Sequence, residues 1–391
     1  MREVVILAGA RTPMGSFNGS LASVPATRLG AIAIKEAIKR AEIKPEMIDE
    51  VYMGMVLPAA VGQAPARQAA IFAGLPNSVT CTTVNKVCGS GMKTVMLAAA
   101  QIALGEIDFA VAGGMENMSM VPHALPGSRL GHKMGDITMV DLMVKDGLWD
   151  VYNDFHMGIA AEMCAEKYEI TREMQDEFAV NSYKKAIKAI EDGIFKDEIV
   201  PVEVKTRKGS VIVDTDEEPG RVKFDRIPTL RPAFKKDGTV TAANASSIND
   251  GASAIILASK EKAEELGLPV LATLKHWTSY AHEPEWFTTA PSHAINKILK
   301  KANLKPEDID LYEVNEAFSV VSLVTNKLSN LPADRVDVNG GAVALGHPIG
   351  NSGTRILITL LYEMKRRNAK KGLASLCIGG GEATAVIVER D

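Results

Sequence analysis

The sequence AIKRAEIKPEMID at residues 37–49 returns later in the chain as ILKKANLKPEDID at residues 298–310. A second match follows in the same order, because a Ser-Gly pair opens a long apolar segment at residues 90–91 and again at residues 352–353. Ordered matches at a nearly constant spacing indicate that the chain consists of two similar halves. Since the spacing far exceeds a solenoid unit of about 20–50 residues, it predicts one duplicated domain rather than a repeat array.

Both halves alternate short β-type runs with longer helical segments. Uninterrupted apolar runs predict buried strands, and apolar residues at a period of about 3.6 predict helices. Strands are predicted at residues 4–7, 109–112 and 373–378, and helices at residues 27–40, 91–104 and 354–367. This alternation predicts an α/β fold in which helices cover the sheets.

The segment between the halves, at about residues 120–243, has a different character. It contains clusters of charged residues, glycine and proline, with one clear helix at residues 171–192. We interpret it as an insertion that lies over the surface of the first half. Loop-rich segments of this kind often carry ligand sites.

The composition of the 391 residues is that of a globular protein, with 46% hydrophobic and 24% charged residues. The net charge of -4 argues against a nucleic-acid-binding protein. No apolar run approaches the ~20 residues that span a bilayer, which argues against a membrane protein. The four cysteines are too scattered for a disulfide framework, and the N-terminal residues resemble neither a signal nor a transit peptide. We therefore expect a cytoplasmic protein.

Cys88 lies in the segment NKVCGSGM, directly before a predicted helix. The positive end of a helix and its free N–H groups favour a thiolate. Gly89 and Gly91 permit a tight turn and the close approach of a substrate. These features make Cys88 a candidate nucleophile, and the alternative is a buried structural cysteine, since free cysteine is among the most buried residue types.

His347 lies in the glycine-rich segment GGAVALGHPIGNSG at residues 340–353. Pro348 disfavours helical backbone at His347, which predicts an extended loop before the next helix. The segment matches neither a phosphate-binding loop nor a dinucleotide-binding fingerprint, so nucleotide binding by those motifs is disfavoured. His347 is thus a candidate functional imidazole, and the alternative is a core histidine whose ring is fully hydrogen-bonded.

Cys377 and Asn315 are two further candidates. Cys377 ends an apolar strand, and the glycines at residues 379–381 could turn backbone N–H groups toward an anion, as an oxyanion hole requires. The alternative is an ordinary strand cysteine before a glycine turn. Asn315 could hold a water molecule or orient an imidazole, and its alternative is a helix N-cap. The cysteines and histidines nowhere show metal-ligand spacing, so we expect no metal site.

Taken together, these motifs resemble the thiolase family, in particular its short-chain acetyl-CoA acetyltransferase branch. The resemblance runs from VILAGARTP at residues 5–13 to CIGGG at residues 377–381, and so covers essentially the whole chain. Between them it includes NKVCGSGM, AGGMENMS, NEAF and GHPIG in order. It implies the thiolase fold, with two similar α/β halves layered α-β-α-β-α and an inserted loop domain.

The resemblance also implies a domain organisation and an assembly. The N-terminal half would comprise residues 1–119 and 244–268, and the C-terminal half residues 269–391. Residues 120–243 would form the loop domain, which binds CoA and mediates assembly. The implied assembly is a homotetramer built as a dimer of dimers, with residues 129–146 in the assembly loop.

Each candidate matches a residue with a known role in the family. Cys88 matches the nucleophile that takes the acyl group as a thioester, and His347 matches the imidazole that accepts its proton. Cys377 matches the general base that acts on the α-carbon of the second acetyl-CoA. Asn315 matches the residue that fixes a water in one oxyanion hole, and the N–H groups of Cys88 and Gly379 match the other. The implied activity is the reversible Claisen condensation of two acetyl-CoA to acetoacetyl-CoA and CoA, without metal or redox cofactor.

The resemblance places further residues at the acyl-CoA substrate. His156 and Met157 match residues of the short-chain class that line the pantetheine and acyl tunnel, whereas the alternative for His156 is an exposed loop histidine. Ser246 matches a serine that meets pantetheine, and Phe318 is expected to contact CoA. Basic side chains of the insertion could face the CoA phosphates or form a solvated surface, with Arg221 the best choice. They are Lys205, Arg207, Lys208, Arg221, Lys223 and Arg226.

Three positions depart from the family pattern. Pro219 stands where potassium-activated members have a tyrosine, which argues against potassium activation although residues 241–251 resemble those members. Thr288 follows Phe287 where that group has the proline linked to 2-methyl-branched substrates, so acceptance of a branched acyl chain stays open. Glu382 follows the glycine triplet in place of the commoner glutamine.

Two other functions are alternatives. One is a degradative thiolase for longer-chain or 2-methyl-branched 3-ketoacyl-CoA, and His156 with Met157 argues against the longer chains. The other is a non-catalytic carrier of CoA or lipid on a thiolase scaffold. Such a carrier should have lost a reactive residue, whereas the chain retains all four candidates, which are Cys88, Asn315, His347 and Cys377.

Overall fold

A computed structural model describes residues 1–390. The strands of this part of the chain are β1 Val4–Arg11, β2 Gly15–Ser16, β3 Glu50–Gly54, β4 Thr80–Val84, β5 Phe109–Asn117, β6 His123–Ala124, β7 Val140–Asp141, β8 Trp149–Asp150, β9 Phe155–His156, β10 Val202–Thr206, β11 Gly209–Val213, β12 Asn249–Ser259, β13 Ala272–Ala281, β14 Leu311–Val314, β15 Lys371–Ile378 and β16 Glu382–Glu389. Its α-helices are α1 Ala26–Arg40, α2 Pro65–Ala73, α3 Ser90–Leu104, α4 Met157–Tyr168, α5 Arg172–Glu191, α6 Lys260–Glu265, α7 Ala290–Ala302, α8 Ser319–Ser329, α9 Ala342–Leu345 and α10 Ser352–Arg367. All six strands and helices predicted in the two halves are confirmed, as β1, β5, β15, α1, α3 and α10.

The sheet shows the duplication directly. Its strands follow the order β14-β15-β16-β13-β1-β12-β5-β3-β4. In the first half, β3 pairs with β5 in parallel. Strand β12 pairs with both β5 and β1, and both of these pairs are antiparallel. In the second half β14, β15, β16 and β13 repeat this pattern of one parallel and two antiparallel pairs. The two halves are joined where β1 and β13 pair briefly, at Val5 with Thr273 and Ile6 with Ala272.

Helices lie outside and between the two half-sheets. Apolar residues of α1 and α2 pack on one face of the first half, with Leu29 and Ala69 in the same core cluster as Val111. Helix α7 packs on the far face of the second half, where Ile295 and Ile387 share a cluster. Helices α3 and α10 lie between the half-sheets in a third cluster that contains strands of both halves. The predicted α/β architecture with five layers is therefore confirmed.

The repeated Ser-Gly pairs mark the point where the two central helices touch. A Cβ atom at Gly353 would lie 2.4 Å from the backbone nitrogen of Met92, and one at Gly91 would lie 2.9 Å from that of Thr354. Side chains at either position would force the helices apart, because a contact with backbone cannot be relieved by a rotamer change. The close approach brings the loops before α3 and α10 together, and these loops carry Cys88 and His347.

The insertion differs from its sequence-based description in two respects. It contains a second helix, α4, which the prediction of one helix missed because α4 has no strongly polar face and seven of its residues are buried. The prediction that the insertion covers the first half is also wrong for both helices. Helix α4 packs against Phe318 and Val320, and α5 packs against Val343–Leu345 of α9, all in the second half. The predicted domain boundaries stay predictions.

One stretch contradicts the prediction that no apolar run is long enough to cross a membrane. Residues Val87–Leu104 reach the required length and hydropathy. This stretch contains α3, and 61% of it is buried inside the fold. A buried core helix passes the same test, so the stretch is weak evidence for a membrane span.

Candidate active site

A cavity of about 620 Å³ opens where the two halves and the insertion meet. Cys88 reaches it from the first half, and His347, Cys377 and Gly379 reach it from the second half. The insertion contributes further lining side chains, which include His156 and Arg221. Residues that are far apart in the sequence therefore converge on one site.

Cys88 is held in a tight turn between β4 and α3. Val87 has left-handed backbone with φ 45°, and Gly89 is the N-cap of α3. A Cβ atom at Gly89 would lie 2.3 Å from Cδ1 of Ile378, the residue after Cys377. Glycine at this position therefore lets the turn that carries Cys88 lie directly against the strand end that carries Cys377.

The protonation of Cys88 differs from the sequence-based expectation of a thiolate. Burial raises the pKa of Cys88 to about 11, and the carboxylate of Glu116 adds to this increase. Two backbone N–H groups lower the pKa without cancelling the effect of burial, one from Gly379 and one from Cys88 itself. The resting side chain is thus a thiol at neutral pH and needs a base to become a nucleophile.

Cys377 occupies the buried end of β15, where it is 1% exposed. Burial raises the pKa of Cys377 well above its usual range, and the neighbouring Cys88 raises it further. Both cysteines line the same cavity. A thiolate at Cys377 would be a strong base in this environment.

His347 lies in the loop between α9 and α10, as predicted from Pro348. Its Nδ1 is 2.6 Å from Oγ of Ser352, which is 3.0 Å from the carbonyl oxygen of Pro348. A relay in which Nδ1–H donates to Ser352 and Ser352 donates to Pro348 leaves Nε2 as an acceptor. Within residues 1–390, Nε2 has no hydrogen-bond partner. The core-histidine alternative required a fully satisfied ring, which this geometry does not provide.

The electrostatic surroundings keep His347 neutral. Burial, with a smaller contribution from the positive charge of Arg355, lowers the pKa of His347 to about 3. Its backbone N–H donates to Oδ1 of Asn249 at 2.9 Å, and Asn249 in turn donates to the carbonyl oxygen of Gly15 at 3.0 Å. A neutral, firmly held imidazole can accept a proton from a thiol. Asn249 is a supporting residue that the sequence analysis did not single out.

Asn315 lies beside His347 and is not a helix cap. Its side-chain Nδ2 is 3.5 Å from Nδ1 of His347, and its Oδ1 has no partner among the described residues. Helix α8 begins at Ser319 with Phe318 as N-cap, so the capping alternative is wrong. Glu316, its neighbour in the sequence, points away and accepts hydrogen bonds from Ser182 and the N–H of Val343.

The predicted substrate-contacting residues line the outer part of the cavity. His156, Met157, Ser246 and Phe318 all belong to its wall. The ring of His156 stacks on Phe234 at 4.7 Å, and its Nδ1 accepts the N–H of Gly158 at 3.0 Å. His156 is therefore a half-buried helix cap rather than an exposed loop histidine.

Phe234 is a lining residue that the sequence analysis missed. It packs edge-on against Phe318 with ring centroids 6.3 Å apart. A Cβ atom at Gly158 would lie 2.2 Å from the ring of Phe234, so the glycine provides the space for the ring. The sequence signal was a single aromatic residue in a polar segment, which does not by itself distinguish a surface residue from a cavity wall.

Of the six basic residues considered for the CoA phosphates, Arg221 alone lines the cavity, within the described part of the chain. Its Nη1 forms an ion pair with Glu217 at 3.2 Å, and its side chain is 56% exposed. Lys205 lies on β10, and Arg207 and Lys208 lie at the turn of the β10–β11 hairpin. The sequence-based preference for Arg221 over the others agrees with this placement.

The depressed pKa of His347 predicts how the stability of the protein depends on pH. An unfolded histidine titrates near 6.5 and His347 near 3, so between these values the unfolded chain binds more protons. This difference removes about 1.4 kcal/mol of unfolding free energy per pH unit as the pH falls from about 6.5 toward 3. In urea unfolding, the free energy of unfolding of the wild type should fall by about 2 kcal/mol more than that of His347→Gln between pH 7 and pH 5. Parallel pH curves for the two proteins would contradict it.

Comparisons with known proteins agree with the motifs and the fold. The family model described as "Thiolase, N-terminal domain" matches residues 4–261, and "Thiolase, C-terminal domain" matches residues 268–390. The chain is 56% identical to acetyl-CoA acetyltransferase 2 of Arabidopsis thaliana, covering 99% of this chain and 97% of the relative. It is 55% identical to the acetyl-CoA acetyltransferase of Cupriavidus necator over the full length of both. The solved acetyl-CoA acetyltransferase of Syntrophomonas wolfei superposes with a TM-score of 0.98 at 42% identity, covering all of both chains.

Proposed function

The chain belongs to the thiolase family, and from this membership we propose that it is an acetyl-CoA C-acetyltransferase. The reaction is the reversible condensation of two acetyl-CoA to acetoacetyl-CoA and CoA. The observation that carries the proposal is the convergence of Cys88, Cys377 and a neutral His347 on one cavity. A Claisen condensation needs a nucleophile that holds the first acyl group and a base for the second.

The first half-reaction transfers an acetyl group to Cys88. The neutral imidazole of His347 accepts the thiol proton, and the sulfur attacks the thioester carbonyl of acetyl-CoA. The negative oxygen of the tetrahedral intermediate is stabilised by the backbone N–H groups of Cys88 and Gly379. The carbon–sulfur bond to CoA then breaks, the CoA sulfur takes up the proton, and acetyl-Cys88 remains.

The second half-reaction forms the carbon–carbon bond. Cys377 passes its thiol proton to the neutral imidazole of His347 and, as thiolate, takes a proton from the α-carbon of a second acetyl-CoA. The resulting carbanion attacks the carbonyl carbon of acetyl-Cys88. The enolate oxygen is stabilised beside His347, whose Nδ1 lies 3.5 Å from the side-chain Nδ2 of Asn315. The bond to Cys88 breaks, which releases acetoacetyl-CoA, and the protonated His347 gives its proton to the sulfur of Cys88. Both cysteines are then thiols again and His347 is neutral.

We propose that this reaction needs neither a metal ion nor a redox cofactor. Each step moves a proton or exchanges an acyl group, and no electrons are gained or lost overall. Pro219, where potassium-activated members have a tyrosine, supports activity that does not depend on potassium. The CoA thioesters are substrates, with the pantetheine arm along His156, Met157 and Phe318 and the phosphates toward the exposed Arg221.

We further propose that the enzyme works in the cytoplasm as a homotetramer. Strand β4 is the outer edge of the first half's sheet, and an edge strand offers unpaired backbone groups to a second copy. In the proposed assembly loop at residues 129–146, Leu130 and Met134 are 93% and 91% exposed, which suits burial by a neighbouring subunit. The four cysteines are all free, as expected in a reducing compartment.

A chain-length profile tests the substrate class. We expect thiolysis of the four-carbon acetoacetyl-CoA to be faster than that of the ten-carbon 3-ketoacyl-CoA by about 100-fold in kcat/KM, since His156 and Met157 match residues of the short-chain class. The 2-methyl derivative of acetoacetyl-CoA belongs in the same series. A preference for the ten-carbon substrate would favour the degradative alternative, and no turnover of any of them would favour the non-catalytic carrier.

A further inference from the structure

Lys86 and Glu382 form an ion pair that links the two segments from which the thiols emerge. Lys86 belongs to the first half and precedes Cys88 by two residues. Glu382 belongs to the second half and directly follows the glycine triplet that begins with Gly379. The side chains are 21% and 36% exposed, so the pair is only partly screened by solvent.

The segment that Glu382 follows is a tight glycine turn. Gly380 and Gly381 have φ values of 91° and 84°, and they connect the end of β15 to the start of β16. Glycine in this conformation restricts the backbone little, so the turn depends on external contacts to keep one geometry. Glu382 is the first ordered strand residue after the turn, where its backbone pairs with Ile378 and Ala281.

Lys86 belongs to the short turn between β4 and α3. The backbone N–H of Lys86 donates to Oγ of Ser90 at 2.8 Å, and its carbonyl oxygen accepts the N–H of Gly89 at 3.0 Å. Both contacts close the turn around Cys88. A displacement of the Lys86 side chain would therefore move the turn that contains Cys88.

The two segments also meet through the backbone. A Cβ atom at Gly89 would lie 2.3 Å from Cδ1 of Ile378, and one at Gly379 would lie 3.7 Å from Cγ1 of Val87. The backbone N–H of Gly379 also lowers the pKa of the Cys88 thiol. The ion pair thus joins two segments that carry Cys88 and Gly379, two residues from the first and three residues from the second. Loss of the pair would let the glycine turn move relative to Cys88.

We infer that Lys86 and Glu382 are positioning residues whose ion pair fixes the Gly379 N–H at the sulfur and developing oxyanion of acyl-Cys88. This role deepens the proposed thiolase function and rests on it. It also gives a physical meaning to Glu382, which stands where the family more often has glutamine. A glutamine can accept a hydrogen bond from Lys86 but carries no charge and forms no ion pair with it.

The test compares Lys86→Gln, Glu382→Gln and the swapped double variant Lys86→Glu/Glu382→Lys. Each single change should lower kcat for acetoacetyl-CoA thiolysis roughly tenfold and change KM for CoA less than about twofold, because a positioning loss acts on the transition state. The pH profile of Cys88 alkylation by iodoacetamide should move to higher pH, since the Gly379 hydrogen bond lowers the pKa of Cys88. The double variant should recover most of kcat.

Lys275→Gln is the matched control, because it removes a comparably exposed ion pair with Glu3 far from the cavity. It should leave kcat and the alkylation profile unchanged. The inference is overturned if the single variants match this control, or if the double variant recovers neither quantity. A wild-type protein without thiolysis, whose alkylation profile still shifts in the single variants, would overturn the proposed function and not the positioning role.

Discussion

Cys88→Ala abolishes acetyl transfer to the protein and lowers the rate of acetoacetyl-CoA thiolysis by about 10⁴-fold or more. The methyl group of alanine cannot form a thioester, and both directions of the reaction pass through acetyl-Cys88. The measurement is the label retained on denatured protein after incubation with radiolabelled acetyl-CoA, followed in time beside the thiolysis assay. Wild type should reach about one label per active site, and the variant none.

Cys81→Ala is the control for this substitution. Cys81 is also a half-buried free cysteine, but it lies on β4 and outside the cavity wall. Its removal should leave both labelling and turnover close to wild type. Label that accumulates on Cys88→Ala at a rate competent with turnover would contradict the assignment of the nucleophile.

Cys377→Ala separates the two half-reactions. The variant should still accept the acetyl group on Cys88, since His347 can take the thiol proton without Cys377. It should lose condensation by about 10³-fold or more, because the methyl group of alanine cannot remove a proton from the α-carbon of the second acetyl-CoA. The expected pattern is stable label on the protein together with very little acetoacetyl-CoA.

Cys164→Ala provides the matched control, because Cys164 is a fully buried cysteine in the same apolar cluster as Cys377. It tests whether loss of packing alone explains the loss of condensation in Cys377→Ala. We expect the condensation rate of Cys164→Ala to lie within a few-fold of the wild-type rate. Condensation at the wild-type rate in Cys377→Ala would remove the base from the mechanism. If the Cys377→Ala variant is not acetylated, Cys377 is also needed for the reaction of Cys88 with acetyl-CoA.

Much of the site could be predicted from local sequence. Gly89 and Gly91 indicated a turn before a helix, and Pro348 indicated an extended loop at His347; both local structures are present. These predictions succeeded because turns, proline and glycine act on backbone within a few residues. Asn315 could not be resolved in the same way, since an asparagine near a helix start has several possible partners.

Charge states and supporting contacts could not be predicted from local sequence. The helix start favours a thiolate at Cys88, but its pKa is about 11 because the chain around it excludes water. The support of His347 by Asn249 and the stacking of Phe234 on His156 join residues far apart in sequence. Helix α4 was missed because burial on most sides removes the polar face that makes a helix visible in the sequence.

The amino-acid order alone determined that the chain is duplicated, that strands and helices alternate, and which thiols, imidazole and amide are candidates for the chemistry. These properties depend on side-chain type and on neighbours a few residues away. Only the tertiary structure decided that Lys86 meets Glu382, that one glycine N–H reaches the sulfur of Cys88, and that both thiols are protonated at rest. Each of these depends on distances between segments and on the exclusion of water, which exist only after the two halves have packed together.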